Sequence, residues 1–328
     1  MTVLLTGASG FLGSHIAEQL SRADVPVRAL VRHSSDVRWL RTLPNVELFG
    51  AALDQSERLR RAMEGVTAIV HCAGLIKARN EAEFFRVNTE GTERLLEAAG
   101  TVSGQLQRFV LVSSLAAIGP SDERGTPVAP DAAPHPVTSY GRSKRAAERA
   151  ACACRDDFPL VILRPSAVYG PRDRETLAFF RSVQWGVLPT FGSASHKITL
   201  VYGVDAAKAC IRAIEADVPS GSAFFVDDGE VYTFQDLVQA AEAAVERRAW
   251  LRFPLPRRLV EAVAVGVELY GQVRDQAVML TRDKCRELFA QWVADSSATS
   301  AALGWTPEVK FQVGARMTVA WYREHGWL

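Results

Sequence analysis

The sequence predicts an α/β fold: a doubly wound parallel sheet with a smaller C-terminal substrate domain. Three observations carry that expectation. A short apolar run, Val3 to Leu5, stops at Thr6-Gly7 and gives way to an amphipathic helix from Phe11 to about Ala23. Strand-sized apolar runs then alternate with helix-sized amphipathic ones as far as Ser113, the pattern of a parallel sheet covered on both faces. Finally, Gly7, Gly10 and Gly13 are spaced GxxGxxG across the first strand-to-helix turn.

Each of those glycines has a physical task. Gly7 permits the tight turn, Gly10 lets a pyrophosphate approach the backbone, and Gly13 allows close helix–strand packing. The helix start adds free N–H groups and the positive end of a dipole. A dinucleotide site is therefore expected here, with Ser9, Phe11 and Leu12 of the same turn counted in it.

The second strand, Val25 to Val31, ends at Arg32, where NAD-specific sites place a carboxylate for the ribose 2′-OH. A guanidinium instead suits a 2′-phosphate, so NADP(H) is favoured over NAD(H). Val46 to Phe49 reads as a third strand, Ser56 to Met63 as a helix, and Ala68 to Cys72 as a fourth strand running into Ala73-Gly74. A helix over 81–99 and a fifth strand, Arg108 to Ser113, follow. The loop Gly119 to Pro136 is too long for a bare connector and is a candidate cover for the substrate site. In Ser139-Tyr-Gly-Arg-Ser-Lys-Arg-Ala-Ala-Glu148, Tyr140 and Lys144 share a helix face. An ammonium beside a phenol lowers its pKa, which makes the tyrosine a usable acid or base. Ser113-Ser114 ends the fifth strand, where ligands of such sheets sit.

The 328 residues carry Lys+Arg 38 against Asp+Glu 37, a net charge of +1, which gives no reason to invoke nucleic acid or an anionic surface. Five cysteines without metal-ligand spacing point to thiols in a reducing cytoplasm and to no metal. The N-terminus starts directly with strand residues, leaving no room for a signal peptide. The longest apolar candidate for a membrane span, Leu259 to Leu269, is interrupted by Glu261 and Glu268. It reads either as a core helix of the small domain or as a greasy lid over a hydrophobic substrate. Trp185, Phe191, Tyr202 and Tyr270 are candidates for the same pocket.

Taken in order, TGASGFLG, VHCAG, VNTEGT around Asn88, VLVSS, YGRSK and RPSAVYGPRD resemble the extended short-chain dehydrogenase/reductases over essentially the whole chain. The branch it looks most like holds the 3β-hydroxysteroid dehydrogenase-like and dihydroflavonol-reductase-like enzymes. The resemblance implies a Rossmann fold with Tyr140 as catalytic acid/base, Lys144 tuning it and bonding the nicotinamide ribose, and Ser114 (or its neighbour Ser113) orienting the substrate oxygen. Asn88 would support the active-site geometry. Cys72, Ala73 and Gly74 would pass beside the cofactor, and Pro165 to Val168 would line the nicotinamide pocket. The cofactor domain would comprise 1–165 and 198–226, and the substrate domain 166–197 and 227–328. The helices 81–99 and 139–154 would form a homodimer.

Two departures bear on function. Where relatives resemble each other in an Asp-hydrophobic pair for adenine, this chain has Ala51-Ala52, with Asp54 later. Where sugar-nucleotide epimerases place a diphosphate-gripping arginine, seven residues before Asp205, it has Ile198; His196 or Lys197 are the neighbouring substitutes. The leading expectation is an NADP(H)-dependent ketone/alcohol oxidoreductase with a hydrophobic small-molecule substrate. The alternatives are a nucleotide-sugar epimerase or dehydratase with tightly bound NAD, and a non-catalytic NADP(H) sensor.

Overall fold

The computed structural model describes all residues except 194, 275 and 279. In the first half, the elements run β1 (Val3–Thr6), α1 (Phe11–Arg22), β2 (Val27–Val31), β3 (Val46–Gly50), α2 (Ser56–Ala62) and β4 (Ala68–His71). Then come α3 (Glu81–Phe84), a π-helical turn Phe85–Glu90, α4 (Gly91–Gly100), β5 (Arg108–Val112), α5 (Ser139–Ala153) and β6 (Leu160–Pro165). The second half holds β7 (Ala167–Tyr169), α6 (Leu177–Trp185), β8 (Val187–Phe191), β9 (Lys197–Ile198), β10 (Leu200–Tyr202), α7 (Gly203–Glu215) and β11 (Ser222–Val226). It closes with β12 (Tyr232–Thr233), α8 (Phe234–Val245), β13 (Leu251–Leu255), α9 (Arg257–Arg274), α10 (Arg282–Leu288), α11 (Thr299–Leu303) and α12 (Phe311–Glu324).

Seven strands form one sheet in the order β11-β6-β5-β4-β1-β2-β3, and every pairing in it is parallel. Strands covered on both faces read as continuous apolar runs, and all four residues of β1 and of β4 are buried. On one face, Ile16 and Leu20 of α1 share a core with Ala206 and Cys210 of α7. On the other, Leu59, Leu95 and Ala151 bring in α2, α4 and α5. A separate core gathers Tyr169, Phe180, Val238, Ala241, Phe311 and Tyr322 beyond the end of the sheet.

Four local expectations are corrected. The helix over 81–99 is interrupted by the π turn that carries Asn88, a rare geometry that recurs at functional sites. The stretch around Ile198 to Val201 does not return to the main sheet; β10 pairs with β7 instead, because β11 already occupies the edge beside β6. The loop 119–136 is no free cover. Val128 N–H donates to the Val293 carbonyl at 2.9 Å and Arg164 Nη1 to the Pro130 carbonyl at 2.7 Å, so both sides of the loop are pinned. Lastly, α9 is not a core helix: Leu259, Val263, Leu269, Tyr270 and Val273 all face solvent.

Candidate active site

The strand order reverses on either side of β1, and open α/β sheets bind ligands at the carboxyl ends of the strands where that happens. A cleft of about 820 Å³ opens there. Its floor is the glycine turn. Gly7 has φ +71°, and a Cβ there would stand 2.7 Å from the Ala73 nitrogen. A Cβ on Gly13 would run into the Gly7 carbonyl, so only glycine lets α1 sit this close to the turn. Ser9, Gly10, Phe11 and Leu12 line the cleft from the start of α1. Cys72, Ala73 and Gly74 form the opposite lip, held by a hydrogen bond from Ala73 N–H to Thr6 Oγ1 at 3.2 Å.

At one end the cleft reaches Arg32 and Ser35, and Ala51, Ala52 and Asp54 close that side. Arg32 and Ser35 also border an adjoining hollow with His33 and Arg58. Arg32 is exposed, and among the described residues no carboxylate neutralises it. Cationic side chains thus converge where a dinucleotide's adenosine end would lie.

At the other end stand Ser114, Tyr140 and Lys144, with Pro165 and Val168 beside them. Thr138 caps α5 by accepting from Gly141 N–H at 3.0 Å, which fixes Tyr140 in the first turn and Lys144 one turn later on the same face. The phenol behaves differently from the expectation. Enclosure by protein pushes Tyr140 up to about 12, and the Ser114 hydroxyl pulls the other way. The Lys144 ammonium, lowered by its own burial, donates to the Val112 carbonyl at 2.7 Å. Of the serine pair, the Ser114 hydroxyl accepts from Ala116 N–H at 3.1 Å and acts to lower the phenol, whereas among the described residues the buried Ser113 hydroxyl has no partner.

Of the expected stretch Pro165 to Val168, Ala167 does not line the cleft, and Asn88 stands behind the cleft wall. Its Oδ1 accepts from Leu75 N–H at 2.7 Å, and its Nδ2 donates to the Leu75 carbonyl at 3.0 Å and to Ser143 Oγ at 2.9 Å. It therefore ties the lip of the cleft to the tyrosine-bearing helix. His71 extends the buried network, its Nδ1 2.6 Å from Thr6 Oγ1 and its Nε2 2.9 Å from Thr92 Oγ1.

Residues 3–226 match the NAD dependent epimerase/dehydratase family. The chain belongs to that family. A ceramide reductase of Caulobacter vibrioides is 32% identical over 99% of this chain and 96% of the relative. A UDP-glucose 4-epimerase of Vibrio cholerae is 26% identical over 97% of this chain and 94% of the relative. In fold, the chain is similar to the UDP-glucose 4-epimerase of Thermotoga maritima, with a TM-score of 0.79, 22% identity and 99% of each chain covered. Both reductases and epimerases occur among the relatives, so membership makes the chain an NAD(P)-dependent enzyme of the oxidoreductase/epimerase kind.

The glycine cradle, the α1 N-terminus and a cleft of this size fit the dinucleotide that this epimerase/dehydratase family uses. Sequence reasoning missed part of the wall. Val87, Gly91 and Arg94 line the cleft at a spacing of four and three, the signature of one helix face. The aromatic group expected at the substrate end does not assemble. Trp185 and Tyr270 face solvent, Tyr202 packs on Tyr169 with ring centroids 5.7 Å apart, and Phe191 packs on Phe289. Nor do the substitutes for a diphosphate grip face the cleft: Lys197 Nζ donates to the Arg124 carbonyl at 3.3 Å, and the His196 ring lies against Gly192.

Proposed function

We propose that the protein is an NADP(H)-dependent oxidoreductase interconverting a ketone and a secondary alcohol on a hydrophobic small molecule. The observation that carries this reading is the convergence of Ser114, Tyr140 and Lys144 at one end of a cleft whose other end holds Arg32. When bound, the dinucleotide supplies or accepts the hydride. In the reductive direction Tyr140 gives its phenolic proton to the substrate oxygen, and Ser114 donates a hydrogen bond to that oxygen. Lys144 holds the nicotinamide ribose and favours the phenolate left behind. Gly7, Gly10 and Gly13, with Ser9, Phe11 and Leu12, cradle the pyrophosphate, and Arg32 takes the 2′-phosphate.

Two observations support an uncharged, apolar substrate. Ile198 stands where a diphosphate grip would need a cation, and its neighbours Lys197 and His196 are engaged elsewhere. The 32%-identical relative is named a ceramide reductase, for action on a lipid. The intact acid/base group speaks against a mere sensor, which needs none. A homodimer through the helices 81–99 and 139–154 belongs to the same proposal.

Fluorescence titration with NADPH and NADH tests it. Preference for NADPH, weakened in Arg32→Asp, is the expected result. Tightly bound NAD surviving purification, with no NADPH preference and with epimerisation of a nucleotide sugar, would replace this reading by the epimerase one.

A further inference from the structure

We propose that α9 is an interfacial anchor that seats the protein on an anionic lipid bilayer, next to the substrate end of the cleft. The helix is inside out. Its acidic residues are paired: Glu268 is tied back to the protein, accepting from Arg282 N–H and Nε–H at 2.7 and 2.8 Å, and Glu261 accepts from Arg257 one turn earlier on the same helix at 2.7 Å. The Glu268 side chain keeps 19% exposure. Outward go Leu259 at 52%, Val263 at 48%, Leu269 at 57%, Tyr270 at 58% and Val273 at 85%. With Ala262 and Gly266 between them, these positions recur at three and four residues and form one stripe. At 1.5 Å per residue the stripe runs about 20 Å. Exposed apolar surface of that extent marks an interaction site.

Charge decides between the possible occupants. Residues 246–275 hold six arginines against four acids, Glu246, Glu261, Glu268 and Asp275, in a chain of net charge +1. Arg252 and Arg257 are paired with Glu242 and Glu261, and Arg247, Arg248, Arg258 and Arg274 carry the remaining positive charge. Arg257 and Arg258 stand at one end of the stripe, and Arg274 at the other lies over the Tyr270 ring at 5.8 Å. Trp250 and Trp185, 73% and 68% exposed, adjoin each other at the start of the paired strands β13 and β8. An apolar stripe with arginines at both ends, and exposed tryptophans on the same domain, suits an anionic bilayer surface. A second copy of this face would oppose Arg258 and Arg274 to arginines, with Glu268 engaged by Arg282 and Glu261 by Arg257. No helix of the described residues is long and apolar enough to cross a membrane, so the helix lies in the surface.

The position next to the cleft gives the anchor a purpose. From α9 the chain turns into α10, whose Asp283 accepts from Ser139 N–H at 2.5 Å, one residue before Tyr140. Glu287 of α10 is close enough to act electrostatically on the phenol. A ketone dissolved in the bilayer thus meets the protein beside its acid/base pair. This last step rests on the hydrophobic-substrate reading above; the docking surface stands without it.

Flotation with vesicles of phosphatidylcholine, alone or mixed with phosphatidylglycerol, tests the anchor on the full chain. The wild type is expected to float with the mixed vesicles, less so as salt rises. In L269E/V273E the bound fraction should fall at least about tenfold, since two apolar side chains no longer leave water. NADPH titration should be unchanged in that variant, which shows that it is folded. Failure of the wild type to float, or flotation unchanged in the variant, would overturn the proposal. So would loss of a dimer in the variant without vesicle binding by the wild type, which would assign the stripe to a second copy. Flotation without turnover of any apolar ketone would keep the anchor and sink the substrate reading; turnover without flotation would do the reverse.

Discussion

Tyr140 is held as a phenol by two opposing influences, the enclosing protein that raises it to about 12 and the Ser114 hydroxyl that lowers it. The sign follows. Reduction needs the protonated form, which is fully present at neutral pH, so its rate should be flat there. Oxidation needs the phenolate, whose fraction grows about tenfold per pH unit below the pKa, so the oxidative rate should climb steadily into the alkaline range. An oxidative profile that peaks below about pH 8 would contradict a raised phenol. Tyr140→Phe should cost roughly 10²–10⁴-fold in kcat with NADPH binding retained; unchanged turnover would remove Tyr140 from the mechanism. The candidate residues for the chemistry were named from the sequence through its family resemblance. Where Lys144 points was not legible there, because its partner, the Val112 carbonyl, lies 32 residues away on another element.

The helix that carries Tyr140 is anchored by a buried ion pair. Glu148, on the buried face of α5, accepts from Arg164 Nε at 2.9 Å and Nη2 at 3.0 Å, with Arg145 adding a third contact at 2.9 Å. Removing one partner of such a pair leaves an uncompensated charge and typically costs about 3–5 kcal/mol. Glu148→Ala should therefore lower Cm in urea by that equivalent; a shift below about 1 kcal/mol would show that the pair contributes no more than a surface one. Gly13→Ala at the other end of the cleft should weaken both stability and NADPH affinity, because the added methyl meets the Gly7 carbonyl. Calorimetry and titration read the two effects separately, and intact affinity would release Gly13 from its packing role. The elements around these residues were readable from apolar periodicity to within a residue or two. The π turn at Phe85–Glu90 was not, since nothing in the local pattern distinguishes it from ordinary helix.

Across the whole molecule, two buried histidines set an acid limit. Burial, with Lys144 adding, takes His71 down to about 3, and burial, with Arg172 adding, takes His15 down to about 4. Both are depressed from 6.5, so between those values the unfolded chain binds more protons than the native one. Stability is then complete above about pH 6.5 and drains away as pH falls toward 4, by a few kcal/mol in all. In His71→Gln the loss should be smaller, so the gap in urea stability between wild type and variant narrows on acidification; a gap independent of pH would mean His71 is not buried neutral. By itself the sequence nominated Ser114, Tyr140 and Lys144 through its family resemblance, and determined the parallel α/β fold and the glycine cradle. The latter two depend on short-range periodicity and spacing, which survive in one dimension. Tertiary structure decided that the Ser113 hydroxyl is buried while Ser114 stands with Tyr140 in the cleft, that β10 pairs with β7, and that the apolar stripe of α9 faces outward. Burial and hydrogen bonding at those places depend on partners far along the chain. An apolar residue's pattern says that it seeks cover, but only the fold says whether this chain provides it.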